Sequence, residues 1–151
     1  MEPEKSVNPV VLISEDDPDD LYLFRSAVMD ADRCLEVHNV LTGRQLVQFL
    51  LQTAVFVDQK TLQLPRFIIA DLNRPFFELD IIREIRVYTQ FRAIPIFVFS
   101  MENSDHVREK AMEAGATGFF KKPYTYVDLR RIVHEIVVGA CSQNRLGISP
   151  Y

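Results

Sequence analysis

Four stretches of this chain carry side chains that could do chemistry. Glu15, Asp16 and Asp17 are consecutive acids. Asp71 follows an apolar run. Ser100 closes another, and Lys121 and Lys122 follow a third, with Pro123 behind them. Carboxylates gathered in one place repel unless a cation or a proton intervenes. Two or three of them suit Mg²⁺, which keeps waters and takes one or two carboxylates plus phosphate oxygens. A lysine facing such a cluster is a counter-charge for phosphate, and a serine can hydrogen-bond a phosphoryl oxygen. A carboxylate can also be the nucleophile in phosphoryl transfer. Together these residue types point to Mg²⁺-dependent phosphoryl transfer onto Asp71, with Lys122 and the metal offsetting charge on the equatorial oxygens.

That chemistry requires the four stretches to meet, so the elements that carry them matter. Val10–Ser14 reads as a buried strand, followed by Asp17-Pro18, an N-cap with proline at the first helical position. Leu21, Phe24 and Val28 give that helix one apolar face. Leu35–Val40 reads as a second strand. Thr42-Gly43-Arg44-Gln45 has capping-box spacing and opens a helix carrying Leu46, Phe49 and Leu50. Phe67–Ala70 is a third strand, and Leu79, Ile82 and Ile85 mark a third helix. Ile94–Phe99 is a fourth strand, with Pro95 at its start. Ser104–Ala114 is a fourth helix stopped by Gly115. Thr117–Phe120 and Thr125–Val138 are the last strand and helix, with Leu129, Ile132, Val133 and Ile136 facing inward.

Continuous apolar strands between amphipathic helices imply a parallel sheet covered on both faces. Five β–α units predict a flavodoxin-like doubly wound α/β fold with strand order 2-1-3-4-5. In that fold ligands bind beyond the carboxyl ends of the strands, where all four stretches fall. The domain itself is read as 9–138, after an extension over 1–8 and before a tail over 139–151. Gln52–Leu64 is longer than a usual connection and reads either as more helix or as a loop.

Composition narrows the function classes. The 151 residues are 48% hydrophobic and 25% charged, which argues for one folded core and against disorder. A net charge of −4 lacks the basic footprint of a nucleic-acid binder. No apolar run is long enough to span a membrane. Two cysteines, Cys34 and Cys141, are too few for a disulfide framework. With a polar start that is no signal peptide, they predict a reducing, cytoplasmic setting. His38, His106 and His134 have no metal-ligand spacing.

Four segments together resemble the receiver domain of two-component response regulators. They are Val11–Pro18, Ile69–Pro75, Val98–Ser100 and Ala114–Pro123, in order and each at a strand end. The resemblance spans about residues 9–138. It implies that Asp71 is the phosphoacceptor and Asp16 a direct metal ligand, with Glu15 acting through water and Asn73 through its backbone carbonyl. The metal would be Mg²⁺ or Mn²⁺. Ser100 would be the switch hydroxyl, Lys122 the conserved-type lysine with a cis proline at Pro123, and Phe119 the switch aromatic.

The implied partners are a sensor histidine kinase or phosphotransfer protein and a downstream output protein. The output would be a change in the surface of the fourth helix, fifth strand and fifth helix, about residues 104–138. The long segment before the third strand resembles stand-alone regulators paired with phytochrome-type kinases, and a homodimer through the last two helices is a further implication.

The chain departs from the family pattern in places. The loop after Asp71 (Arg74-Pro75-Phe76-Phe77-Glu78-Leu79) has no glycine, so positive φ is not freely available there. Phe76 and Phe77 either pack over the site or form an exposed contact. Met101, where a small residue is usual, would alter dephosphorylation, and Phe119 lacks a tyrosine hydroxyl.

Two other classes compete. A pseudo-receiver would keep the fold as a protein-interaction module without phosphorylation. A flavodoxin-like cofactor binder needs a phosphate-cradling loop, whereas the loop after the first strand is acidic and no glycine-rich phosphate motif occurs. A dehalogenase-type phosphatase needs a second acid where Asn73 stands.

Overall fold

The strands form because β-compatible apolar residues occur in short runs, and each run is long enough to lie between two helix layers. In the computed structural model, which describes residues 8–56, 63–73 and 75–146 (without the side chains of 55–56, 75–77 and 141–146), five strands are present. They are β1 (Val10–Ser14), β2 (Glu36–Val40), β3 (Phe67–Asp71), β4 (Ile96–Ser100) and β5 (Gly118–Lys121). They alternate with α1 (Pro18–Ala31), α2 (Gly43–Phe56), α3 (Pro75–Val87), α4 (Asp105–Ala114) and α5 (Tyr126–Leu146). All four strand pairings are parallel, in the order β2-β1-β3-β4-β5. This is the flavodoxin-like winding expected from the sequence.

The period of two along each strand divides the core in two. Leu12, Ile68, Ala70, Ile96 and Val98 face α2, α3 and α4, joining Leu50, Ile82 and Val107. Val11, Ile13, Phe67, Ile69 and Phe99 face α1 and α5, joining Phe24, Val28 and Val133. Both sets are buried, so β1 and β3 read as unbroken apolar runs rather than alternating ones.

The helix ends follow local chemistry. The Asp17 carboxylate accepts the N–H groups of Asp19 and Asp20, and Pro18 occupies the first helical position. Thr42 Oγ1 accepts the N–H of Gln45 at 3.1 Å, while Gln45 Oε1 accepts that of Leu41 at 2.8 Å. The return half of the capping box therefore reaches one residue further back than its usual target. Ser104 caps α4, and Gly115 ends it with φ of 111°. The half-buried Arg86 side chain crosses from α3 to donate to the carbonyls of Phe91, Ile94 and Gly115. It leaves no room at Gly115, where a Cβ would meet Arg86 Cγ at 2.6 Å.

Four expectations change. The fourth strand begins at Ile96, after Pro95, and runs to Ser100. The last helix runs beyond Val138 to Leu146, because Val137 and Ala140 continue the buried face and a single helical glycine costs only about 1 kcal/mol. The last strand is shifted one residue, to Gly118–Lys121. Among the described residues no peptide bond is cis, so Lys122–Pro123 is trans. Of the segment over 52–64, residues 52–56 extend α2. Residues 57–62, the extension over 1–7, Arg74 and the end of the tail over 147–151 lie outside the described residues.

Gly115 and Gly139 make opposite predictions. Gly115→Ala combines a positive φ with a clash against the Arg86 side chain and destabilises by about 1–3 kcal/mol. Gly139→Ala, in open space on a helix, stabilises by up to about 1 kcal/mol. Urea unfolding of both variants checks this, and equal effects of the same sign would contradict it.

Candidate functional site

Sheet register brings the chemistry together. Ala70 lies opposite Ser14 and Val98, and Asp71 opposite Phe99, so β1, β3 and β4 end at the same level. Ser100 pairs with Lys121, and the Lys122 N–H donates to the Ser100 carbonyl at 2.9 Å. The last residues of three central strands and the first residue after β5 therefore share one edge.

At that edge carboxylate oxygens of Glu15, Asp20 and Asp71 all lie within 4.8 Å of one another. Lys122 Nζ donates to Asp20 Oδ2 at 2.6 Å and to Asp71 Oδ2, and lies 4.0 Å from Glu15 Oε2. Glu15 is held inward: its N–H donates to the Val40 carbonyl and its Oε1 accepts the Asp17 N–H, both at 3.0 Å. Its Oε2, like Asp71 Oδ1, is buried and accepts no hydrogen bond among the described residues. A buried acceptor without a donor is costly. Buried carboxylates gathered this closely suit a small hard cation, so the set Glu15, Asp20 and Asp71 can hold a divalent metal such as Mg²⁺ or Mn²⁺.

The electrostatics agree with that reading. Burial pushes the Glu15 carboxyl up to about 9, and a hydrogen bond to Asp71 and the charge of Asp71 add to the shift, while the Asp17 N–H and Lys122 oppose it, so that without a cation a proton on Glu15 serves both carboxylates. For Lys122, burial alone would lower the ammonium, yet Asp20, Asp71 and Glu15 together raise it above the usual lysine range.

The expected site residues are placed as follows. Glu15, Asp71 and Lys122 meet directly. Ser100 is buried beside them, its Oγ accepting the Glu102 N–H at 3.1 Å. Asp16 is exposed at the rim, outside the group of three acids, with Asn73 Nδ2 3.5 Å from its Oδ1. Phe119 is buried in the layer under α4, with the Arg108 guanidinium 5.2 Å above its ring. Met101 is half exposed. The Phe76, Phe77 and Cys141 side chains lie outside the described residues. Asp20 was absent from the sequence reading. Like Asp19, it looks there like an ordinary first-turn acid that complements the helix dipole.

Against solved structures the chain matches response regulators over most of its length. The response regulator RPA3017, in red light signaling of R. palustris, superposes with a TM-score of 0.73 at 21% identity, covering 85% of this chain and 90% of that one. The phosphorylated cyanobacterial phytochrome response regulator RcpA gives 0.72 at 22%, covering 85% and 91%. The fold is that of a response-regulator receiver domain. The Mn²⁺-bound form of response regulator Rcp1 has the same receiver fold, with a TM-score of 0.70, 22% identity and 85% and 91% coverage.

In sequence, the chain is 31% identical over 74 residues to the probable methanogenesis regulatory protein FilR2 of Methanothrix harundinacea (strain 6Ac). That match covers 48% of each protein, so it spans about half the length of the curated relative. No family model matches the sequence. Among the described residues, no helix of this receiver fold is long and apolar enough to cross a membrane.

The raised Glu15 carboxyl sets a pH dependence. In the unfolded chain the group titrates near 4.5 and in the folded chain near 9, so folding takes up a proton between those values. Stability of the metal-free protein therefore falls as pH rises through that window. A divalent cation displaces the proton, and its affinity rises with pH over the same range. Thermal unfolding with and without Mg²⁺ should show a larger Mg²⁺-induced rise in Tm at about pH 8.5 than at about pH 6. An equal or smaller rise at the higher pH would contradict the assignment.

Proposed function

We propose that the protein is a phosphoacceptor of two-component signalling. In this reading Asp71 takes a phosphoryl group from a phosphohistidine of a sensor histidine kinase or phosphotransfer protein. The observation that carries the reading is Lys122 seated on Asp71 beside two buried carboxylate oxygens that accept no hydrogen bond from another of the described residues. The receiver fold, shared with a phosphorylated and a Mn²⁺-bound regulator, supports it.

The residues divide the work. A carboxylate oxygen of Asp71 attacks phosphorus while the P–N bond of the phosphohistidine breaks, and the imidazole leaves with the electron pair. Glu15 and Asp71, with Asp16 and the Asn73 carbonyl at the rim and Glu15 acting through water, would hold Mg²⁺ or Mn²⁺, which when bound neutralises charge on the phosphoryl oxygens. Lys122 supplies a second positive charge beside Asp71. The Ser100 oxygen accepts a backbone N–H, which leaves its own hydrogen free to donate to a phosphoryl oxygen. Movement of Ser100 and Phe119 then shifts the α4–β5–α5 surface and changes affinity for an output protein.

Intact mass after incubation with Mg²⁺ and acetyl phosphate tests the reading. Wild type should gain one phosphoryl group and Asp71→Asn none. A wild type that binds neither phosphoryl nor Mg²⁺ would overturn it and leave a protein-interaction module with a receiver fold.

A further inference from the structure

Lys122 is divided between two acids, and only one of them is the phosphoacceptor. Asp20, in the first turn of α1, holds Lys122 Nζ at 2.6 Å. Its side chain is 34% exposed, against 1% for Asp71. Asp20 thus reaches into the cluster from the solvent side. The cluster is more than a patch of acids. Glu15 and Asp71 are buried, and each presents an oxygen that accepts no hydrogen bond from another described residue.

A lysine ammonium is a compact charge with three donors. Each donor held by Asp20 is withheld from a phosphoryl group arriving at Asp71. Asp20 also adds a negative charge where an anionic phosphoryl donor must approach. Toward a divalent cation the effect reverses, because a third carboxylate near Glu15 and Asp71 deepens the attraction.

We propose that Asp20 is a positioning residue that shares Lys122 with Asp71, slowing phosphoryl transfer while strengthening binding of the divalent cation. The proposal rests on the phosphoacceptor reading of Asp71. For a unit charge ~5 Å away, the effect runs from about fourfold in water-like surroundings to a few hundredfold in protein-like ones.

The test measures two quantities on the full chain with Asp20→Asn: the rate of phosphorylation by acetyl phosphate at saturating Mg²⁺, and the Mg²⁺ dissociation constant by calorimetry. The proposal expects the rate to rise at least about fourfold and the dissociation constant to rise by a similar factor, with Asp20→Glu returning both toward wild type. A structural role would lower rate and affinity together, and that outcome overturns the proposal, as does a rate unchanged by Asp20→Asn. If wild type binds Mg²⁺ but takes no phosphoryl group, the phosphoacceptor reading fails and this proposal with it. If wild type is phosphorylated normally and only the Asp20 effect is missing, the proposal alone fails.

Discussion

One ammonium facing three carboxylates is the constraint on which the site depends. Glu15 and Asp71 are buried where like charges repel strongly, and Lys122 is the cation that lies among them. The remaining imbalance is met in the folded chain by a proton on Glu15, whose carboxyl is pushed up to about 9. A divalent cation can take that proton's place. A site with this excess of negative charge favours a divalent cation.

The fold serves this constraint by ending its strands together. β1, β3 and β4 are apolar along their length because helices cover both faces. Only at their carboxyl ends can polar side chains emerge beside one another. The acids of the first and third strands lie side by side because β3 pairs with β1, at the switch in strand order. Lys122 arrives from the sheet edge because β5 pairs with β4, which also places Ser100 next to it. The packed layers beneath hold these ends in place, with Phe99 wedged edge-on against Phe24 on one side and Phe119 under Arg108 on the other.

Much of this was legible from sequence because strand runs, N-caps and the helix-stopping glycine each act locally. The run Val10–Ser14 and the cap at Asp17 required no knowledge of the rest of the chain. The strand order followed from five β–α units, and with it the meeting of Glu15, Asp71 and Lys122. What was not legible depended on side-chain direction or on tertiary packing. Asp19 and Asp20 are indistinguishable as first-turn acids, and only the folded position of Lys122 selects Asp20. Glu15 and Asp16 are neighbours, yet backbone and cap contacts turn Glu15 inward and leave Asp16 at the rim. Gly139 looked like a helix end, but Ala140 finds a buried place against the sheet layer and α5 continues.

In the proposed function, Asp71, Lys122 and a divalent cation form one phosphoryl-binding unit. Fluorine NMR with beryllofluoride, which occupies the place of a phosphoryl group, tests that unit most directly. Bound resonances should appear only when Mg²⁺ is present and should vanish in Asp71→Asn. Bound signal without Mg²⁺, signal that survives Asp71→Asn, or no bound signal in wild type under any condition would contradict it.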